Sequence, residues 1–335
     1  FFLSLPLAIF LFFILPRLGP LWAIKMSTQS GIVGLSSSMS PGDLSSLARN
    51  TELAFRVSFN GRIPAPGEFY WRAVVLDKFD GTAWEQSQKS SVRWFPMEKT
   101  RHEPQYEYEI IAQPQNNNWL YALTNSLPAT YDVGVNNNGM LRKRGDLNGP
   151  LKYQAISYRG VRQKKVDLSK LERMRSLQLP DSINPKAREL ASTLAGDKKD
   201  LGEINARFQQ YFYSQPYGYT LSPGLLSSDS RVDEFLFESQ KGFCAHYASA
   251  YVFMMRSLGI PSRVIGGYLG GERNSAADYY SVYQYDAHAW AEVWDDVNGW
   301  IRVDPTAWVA PERVELGIEY AVDDFVGFQS NSKWI

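Results

Sequence analysis

The chain has 335 residues, enough for two domains, and its 35 basic and 35 acidic side chains give a formal charge of zero. That balance argues against a polyanionic partner, so nucleic-acid binding is not expected. One cysteine excludes an internal disulfide and any paired-cysteine metal motif. The three histidines have no pair at metal-ligand spacing, so neither a metal nor a cofactor is expected. A single thiol fits a reducing compartment, or an oxidising one in which it is kept for chemistry.

Phe1 to Leu15 is almost wholly apolar and carries no charge. Fifteen helical residues span about 22 Å, short of the roughly 30 Å hydrocarbon core. A signal peptide would need a basic segment before this run and a small-residue cleavage site after it, and neither is evident. Residues 1–22 therefore read as the end of a transmembrane helix, with Pro16 and Arg17 at the interface. Residues 23–50, rich in Ser, Gly and Met, read as an extended linker or irregular arm.

From 51 to 163 the pattern is β. Leu53–Phe59, Phe69–Leu76 and Tyr106–Ile111 alternate, and Asp80-Gly81, Asn136-Asn137-Asn138-Gly139 and Asn148-Gly149-Pro150 punctuate them as turns. Short strands at such intervals predict a sandwich-like domain. No catalytic cluster falls within it, and it reads as a scaffold; His102, beside Glu103-Pro104, reads as a surface loop residue. Residues 164–183 form a charged connection containing Pro180. Helical periodicity then covers Pro185–Leu194, with proline in the first turn. It reappears over about Leu201–Tyr213, where Ile204, Phe208, Tyr211 and Phe212 share a face. An aromatic segment, Pro216–Leu221, and a short amphipathic helix over Asp233–Phe237 precede the cysteine.

The chemistry concentrates between Lys241 and Thr306. After Gly242-Phe243-Cys244, apolar residues at 248, 251, 252, 255 and 258 mark a helix stopped by Gly259 and Pro261. Cys244 then sits at the helix N-terminus, where free N–H groups and the dipole favour a thiolate and can bind an oxyanion. His246 points about 200° around the helix axis from Cys244 and is not the base. His288, Trp290, Glu292 and Trp294 share one face of a strand, Asp295–Gly299 reads as a hairpin loop, and Trp300–Asp304 returns. With the loop centred on Asp296, His288 and Asp304 face each other with Cβ atoms about 5 Å apart. That spacing lets the carboxylate hold one ring nitrogen while the other faces the thiol, a Cys-His-Asp triad. Trp290 and Trp294 flank His288 at alternate positions, where excluding water and plain structural packing explain them equally well. Gly266-Gly267 and Gly270-Gly271 allow close backbone approach near the cleft. Asp295-Asp296 and Asp323-Asp324 read as solvated acidic pairs rather than calcium ligands.

Taken singly, these residues have plainer explanations. A lone cysteine is commonly a small buried hydrophobe, a lone strand histidine is commonly packed, and Asp-Pro is common at turns. Their placement on mutually consistent elements of one stretch is what favours chemistry.

Four segments, Gly242–Ala248, Arg256–Val264, Asp286–Trp294 and Trp300–Thr306, resemble in order and spacing the bacterial transglutaminase-like core. The resemblance implies a papain-like α+β fold, with a cysteine-bearing helix against an antiparallel sheet over residues 184–315. It also implies that Cys244 is the nucleophile, His288 the base and Asp304 its orienting partner. In some transglutaminases an aromatic side chain from the segment before the nucleophile hydrogen-bonds the oxyanion; Tyr219 is the residue so placed, with packing its plainer role. Residues 14–22 and 27–57 resemble the membrane exit of multi-pass inner-membrane proteins that carry this core in the periplasm. That implies a protein or peptide substrate of the cell envelope, anchoring through the N-terminal segment, and residues 316–335 leading toward a further membrane helix. Transfer to an amine, hydrolysis by the same triad as a protease or amidase, and a silent scaffold are the readings left open.

Overall fold

The strands of this chain do not sort by half. The computed structural model describes residues 34–40, 43–87, 91–94, 103–159 and 168–321, all within one compact unit that begins at Gly34. In chain order the main elements are α1 (Asp43–Leu47), β1 (Leu53–Asn60), β2 (Tyr70–Leu76), β3 (Pro104–Ala112), β4 (Ser126–Pro128), β5 (Leu151–Tyr158) and α2 (Lys170–Leu177). Then come α3 (Pro185–Ala195), α4 (Leu201–Ser214), β6 (Gly218–Tyr219), α5 (Arg231–Glu234), β7 (Lys241–Gly242) and α6 (Cys244–Ser257). The last are β8 (Ser262–Leu269), β9 (Glu272–Asn274), β10 (Tyr279–Tyr283), β11 (Ala287–Asp295), β12 (Gly299–Val303) and α7 (Pro311–Glu315).

A six-stranded sheet runs β9-β10-β1-β3-β5-β4, and a four-stranded sheet runs β12-β11-β8-β2. The fold is α+β with a β-rich N-terminal half, as expected, but a cut near residue 163 passes through both sheets. Strand β2 leaves the N-terminal half to pair antiparallel with β8, and β10 leaves the C-terminal half to pair with β1. The expected alternation of β2 gives way to burial of all seven of its residues, because both its faces are covered.

The pairing of β2 on β8 requires a missing side chain. The register slips between Gly266 and Gly267, and Gly267 lies opposite both Arg72 and His288. A Cβ at Gly267 would fall 2.1 Å from the Trp71 carbonyl oxygen and 2.8 Å from the Trp290 ring. The same region holds a buried ion triad. Glu292 accepts from both Arg72 of β2 and Arg263 of β8. Burial alone would raise the Glu292 carboxyl, but the two guanidinium groups hold it below the ordinary range.

Helix α6 follows the expected limits and stops before Gly259, whose φ of +76° suits glycine. Every residue from Cys244 to Arg256 is buried, so the helix is enclosed rather than one-sided, packing on β8, β11 and α3. Helices α3 and α4 match their predicted spans within a residue, and Ile204, Phe208 and Phe212 face inward.

Four expectations need correction. The 34–50 stretch is not a loose arm: Ser38-Met39 pairs with Trp84-Glu85, and Leu35, Met39 and Leu47 are buried. The 164–183 connection contains α2, started by a capping box between Ser169 and Glu172. The helix expected over Asp233–Phe237 is α5 followed by a π-turn over Phe235–Ser239. The β11–β12 register centres on Val297, so that Ala291 faces Val303 and the ladder ends before Asp304. The transmembrane reading of residues 1–22, His102, Asp323-Asp324 and the end of the C-terminal extension lie outside the described residues. Among the described residues no helix is long and apolar enough to cross a membrane. Of the extension, Ile318 is buried.

Two substitutions test this packing in denaturant titrations. Glu292→Ala leaves two buried cations facing each other and should cost about 3–5 kcal/mol. Gly267→Ala should cost about 1–3 kcal/mol, because the clash is with backbone that cannot rotate away.

Candidate active site

Cys244 is the first residue of α6, and Phe243 enters the helix with extended backbone. Its position is set from below by β7, which pairs in parallel with β6 so that Tyr219 faces Gly242. The pairing continues through a hydrogen bond from the Thr220 N–H to the Gly242 carbonyl at 2.8 Å. The thiol side chain is buried. Burial pushes its pKa up, yet the His288 charge and hydrogen bond, the Arg313 charge and the Ala289 N–H together hold it below the ordinary thiol range.

His288 is fully buried on β11. Its Nε2 lies 2.7 Å from Asp304 Oδ2. Its Nδ1 is buried without an aligned partner, which leaves that nitrogen for the neighbouring thiol. Burial disfavours the imidazolium, but the Asp304 carboxylate and Cys244 outweigh it and raise the ring's pKa. A lowered thiol beside a raised imidazole favours the thiolate–imidazolium pair.

Asp304 reaches His288 from just beyond β12, not from within it. The residue caps the turn Pro305–Trp308, accepting the Thr306 N–H on Oδ1 at 3.0 Å. Its Oδ2 also accepts from the Tyr70 hydroxyl at 2.7 Å. The side chain is 5 % exposed. Burial would raise the carboxyl, but His288, Tyr70 and the Thr306 N–H hold it low.

Trp290 belongs to this site: its ring stacks near His288 at 6.3 Å between centroids and meets the Tyr70 ring edge-on at 5.2 Å. Trp294 does not. It packs edge-on against Trp300, and its Nε1–H donates to Asp296 in the hairpin loop. Tyr219 is mostly buried beside the thiol; burial and the Cys244 charge raise its hydroxyl well above the ordinary tyrosine value. His246 stands apart, accepting the Phe243 N–H on Nδ1 at 3.4 Å, and burial pushes its pKa down to about 4. Asp295 is used within the hairpin, where Oδ1 accepts the N–H groups of Val297 and Asn298. Among the described residues no group of three His, Cys, Asp or Glu side chains is placed to hold a metal ion.

Two residues at this site were not predicted from sequence. Tyr70 lies 234 positions before the carboxylate it holds, in a strand that reads as scaffold. Arg313, on α7, is fully buried with its charge acting on Cys244 and Tyr219. Its sequence surroundings, Pro-Glu-Arg-Val-Glu, look like a solvated surface.

Known proteins resemble this chain in sequence and in fold. Residues 188–305 match the transglutaminase-like superfamily, and residues 1–164 match the TgpA N-terminal domain family. The chain is 42% identical over 324 residues to a protein-glutamine gamma-glutamyltransferase of Pseudomonas aeruginosa, covering 95% of this chain and 47% of that protein. It is 32% identical over 178 residues to the uncharacterized protein YebA of Bacillus subtilis, covering 50% of this chain and 24% of that one. The chain thus spans about half or less of the length of these relatives. The crystal structure of the periplasmic domain of TgpA from Pseudomonas aeruginosa superposes with a TM-score of 0.80 at 41% identity, covering 86% of this chain and 99% of that one. With that domain matched almost end to end, the chain belongs to the transglutaminase-like superfamily.

Proposed function

We propose that the protein is a cysteine-dependent acyltransferase acting on the side-chain amide of glutamine, or a related amide, with a primary amine as acceptor. The observation that carries this reading is the wiring of His288: Nε2 bound to Asp304 at 2.7 Å, and Nδ1 left for a thiol at a helix N-terminus. The named activity of the Pseudomonas relative supports the choice of donor.

In this reading the Cys244 proton moves to His288 Nδ1 and the thiolate attacks the amide carbonyl carbon. The oxyanion that forms is met by first-turn N–H groups of α6. The carbon–nitrogen bond then breaks, and ammonia leaves with the proton held by the imidazolium. The amine attacks the thioester, its proton passes to Nδ1, and the carbon–sulfur bond breaks to return the thiol. Asp304 fixes the ring and stabilises its cation throughout. We place this chemistry in the periplasm, at the inner membrane, on a protein or peptide of the cell envelope; the likeness to a periplasmic domain supports that placement.

Residues 23–335, incubated with a glutamine peptide library and a biotinylated amine, should yield amine-linked peptide by mass spectrometry, and Cys244→Ala should abolish it. Deamidated or cleaved peptide without linkage would make the protein a hydrolase with the same triad. No Cys244-dependent product with any envelope protein or peptide would favour a scaffold.

The protonation states give a second check. The lowering of the thiol and the raising of the imidazole both favour the ion pair. Iodoacetamide should therefore alkylate Cys244 quickly well below the ordinary thiol range, slowing only as pH falls through the lowered thiol value. In His288→Ala the inflexion should return toward about 8.5 or above. Tyr70→Phe removes one charge-assisted bond to Asp304 and should lower turnover about tenfold, while alkylation at neutral pH persists.

A further inference from the structure

We propose that the protein has a second ligand site, separate from the triad: a pocket behind the first turn of α6 that takes an organic oxyanion, a carboxylate or a phosphate monoester, on a short apolar stem. The pocket has a volume of about 660 Å³, within the range of small-molecule sites. Arg49 comes to it from the turn after α1, residues 221–226 from the loop that follows β6, Arg231 from the start of α5 and His246 from α6. Cys244 and His246 lie about 200° apart around the helix axis. The pocket and the triad therefore use different faces of one turn, and this site does not depend on the acyl-transfer reading.

The polar lining selects the sign of the ligand. Two guanidinium groups and an imidazole line the pocket, and among its described lining residues none is acidic. Cations gathered around a concavity draw in an anion. Arg49 donates to the Ser222 hydroxyl at 2.5 Å, which holds its guanidinium across to the loop. Arg231 keeps its Nε buried without a partner. The acids beside Arg231 in sequence are engaged elsewhere. Glu234 feels the Arg231 charge, but its carboxylate accepts the Ser227 and Ser228 N–H groups at 3.0 and 2.9 Å. Asp233 accepts the Lys186 and Ala187 N–H groups at 3.0 and 2.7 Å. His246 is 3% exposed, and its Nδ1 accepts the Phe243 N–H. The neutral ring then carries its proton on Nε2 and adds a donor to the lining. Two forked cations match one carboxylate or one phosphate rather than a polyanion.

The remaining wall sets the rest of the ligand. Leu221, Pro223, Leu225 and Leu226 complete the lining, and the Leu225 side chain is left 95% exposed. A bare inorganic anion would use the cations and leave these side chains in water. An anion on an apolar stem uses both, and covering the leucines adds to its affinity.

The test is calorimetric titration of the full chain with hexyl phosphate, hexanoate, inorganic phosphate and hexylamine. At least one of the two alkyl anions should bind saturably and about tenfold or more tighter than inorganic phosphate, and the tighter of the two identifies the headgroup. Hexylamine should not bind. Arg49→Gln and Arg231→Gln should each weaken binding about tenfold. Leu225→Asp puts a carboxylate at a position too exposed to matter for folding, and should weaken binding at least as much. Cys244→Ala should bind like the parent, which keeps this site distinguishable from the triad. Absence of saturable binding by both alkyl anions, equal binding of hexylamine, or affinities unmoved by all three pocket substitutions would overturn the proposal. Inorganic phosphate binding as tightly as the alkyl anions would overturn the apolar stem.

Discussion

A carboxylate almost removed from water is the constraint around which the site is built. Asp304 is 5 % exposed in its side chain, and a charge in that position persists only while donors replace its hydration. Three do so: the Tyr70 hydroxyl, His288 Nε2 and the Thr306 N–H. They arrive from β2, from β11 and from the turn after β12, so the charge exists only when all three elements are assembled. Strand β2 in turn is seated on β8 through the absent Cβ of Gly267 and the Glu292 ion triad. The orientation of one imidazole thus depends on strand pairing that joins the two halves of the chain, and the N-terminal β-rich half contributes a strand to the sheet that carries His288.

That Cys244, His288 and Asp304 lie together was legible because they fall within 61 positions on elements with plain local signals: a helix start at Cys244, an alternating strand at His288 and a hairpin return to Asp304. The hairpin register was misjudged by one residue at the loop centre. The contact survives because Asp304 lies past the ladder, where a capping turn rather than strand geometry aims its carboxylate. Tyr70 was not legible, since nothing local in Phe-Tyr-Trp-Arg distinguishes a ring that reaches an aspartate from one that fills a core. Arg313 was hidden by its charged neighbours. Helix α2 carried a readable capping box at Ser169 and Glu172, but with one buried residue it lacks the apolar stripe on which periodicity depends. The 34–50 arm was misread because its Ser-rich composition conceals the buried Leu35, Met39 and Leu47.

Strand β11 carries two electrostatic systems four residues apart, and they are kept distinct by opposite design. Glu292 is closed on both sides by Arg72 and Arg263, leaving no capacity for exchange. His288 is closed on one side only, with Nδ1 unpartnered. Both sit at nearly complete burial; what differs is that both Glu292 carboxylate oxygens have fixed partners, whereas His288 Nδ1 has none. A carboxylate paired on both oxygens specifies strand pairing, whereas an open ring nitrogen keeps a site at which a proton can be received. Trp290 lies between them in sequence and packs on the imidazole rather than on the ion triad.

Burial of the reacting pair also bears on which nucleophile resolves a thioester in the proposed chemistry. The thiol and imidazole are 2% and 0% exposed, and Tyr219 beside them is mostly buried. Trp290 covers one face of the ring and Tyr70 its edge, which limits the directions from which water reaches Nδ1. An amine on an apolar stem gains by displacing loosely held water along such a wall, while water itself gains nothing. The triad is indifferent to this choice, because either nucleophile gives its proton to the same nitrogen. In the proposed chemistry, discrimination between transfer and hydrolysis therefore rests on the packing around His288, above all on Trp290, rather than on the charges around Cys244.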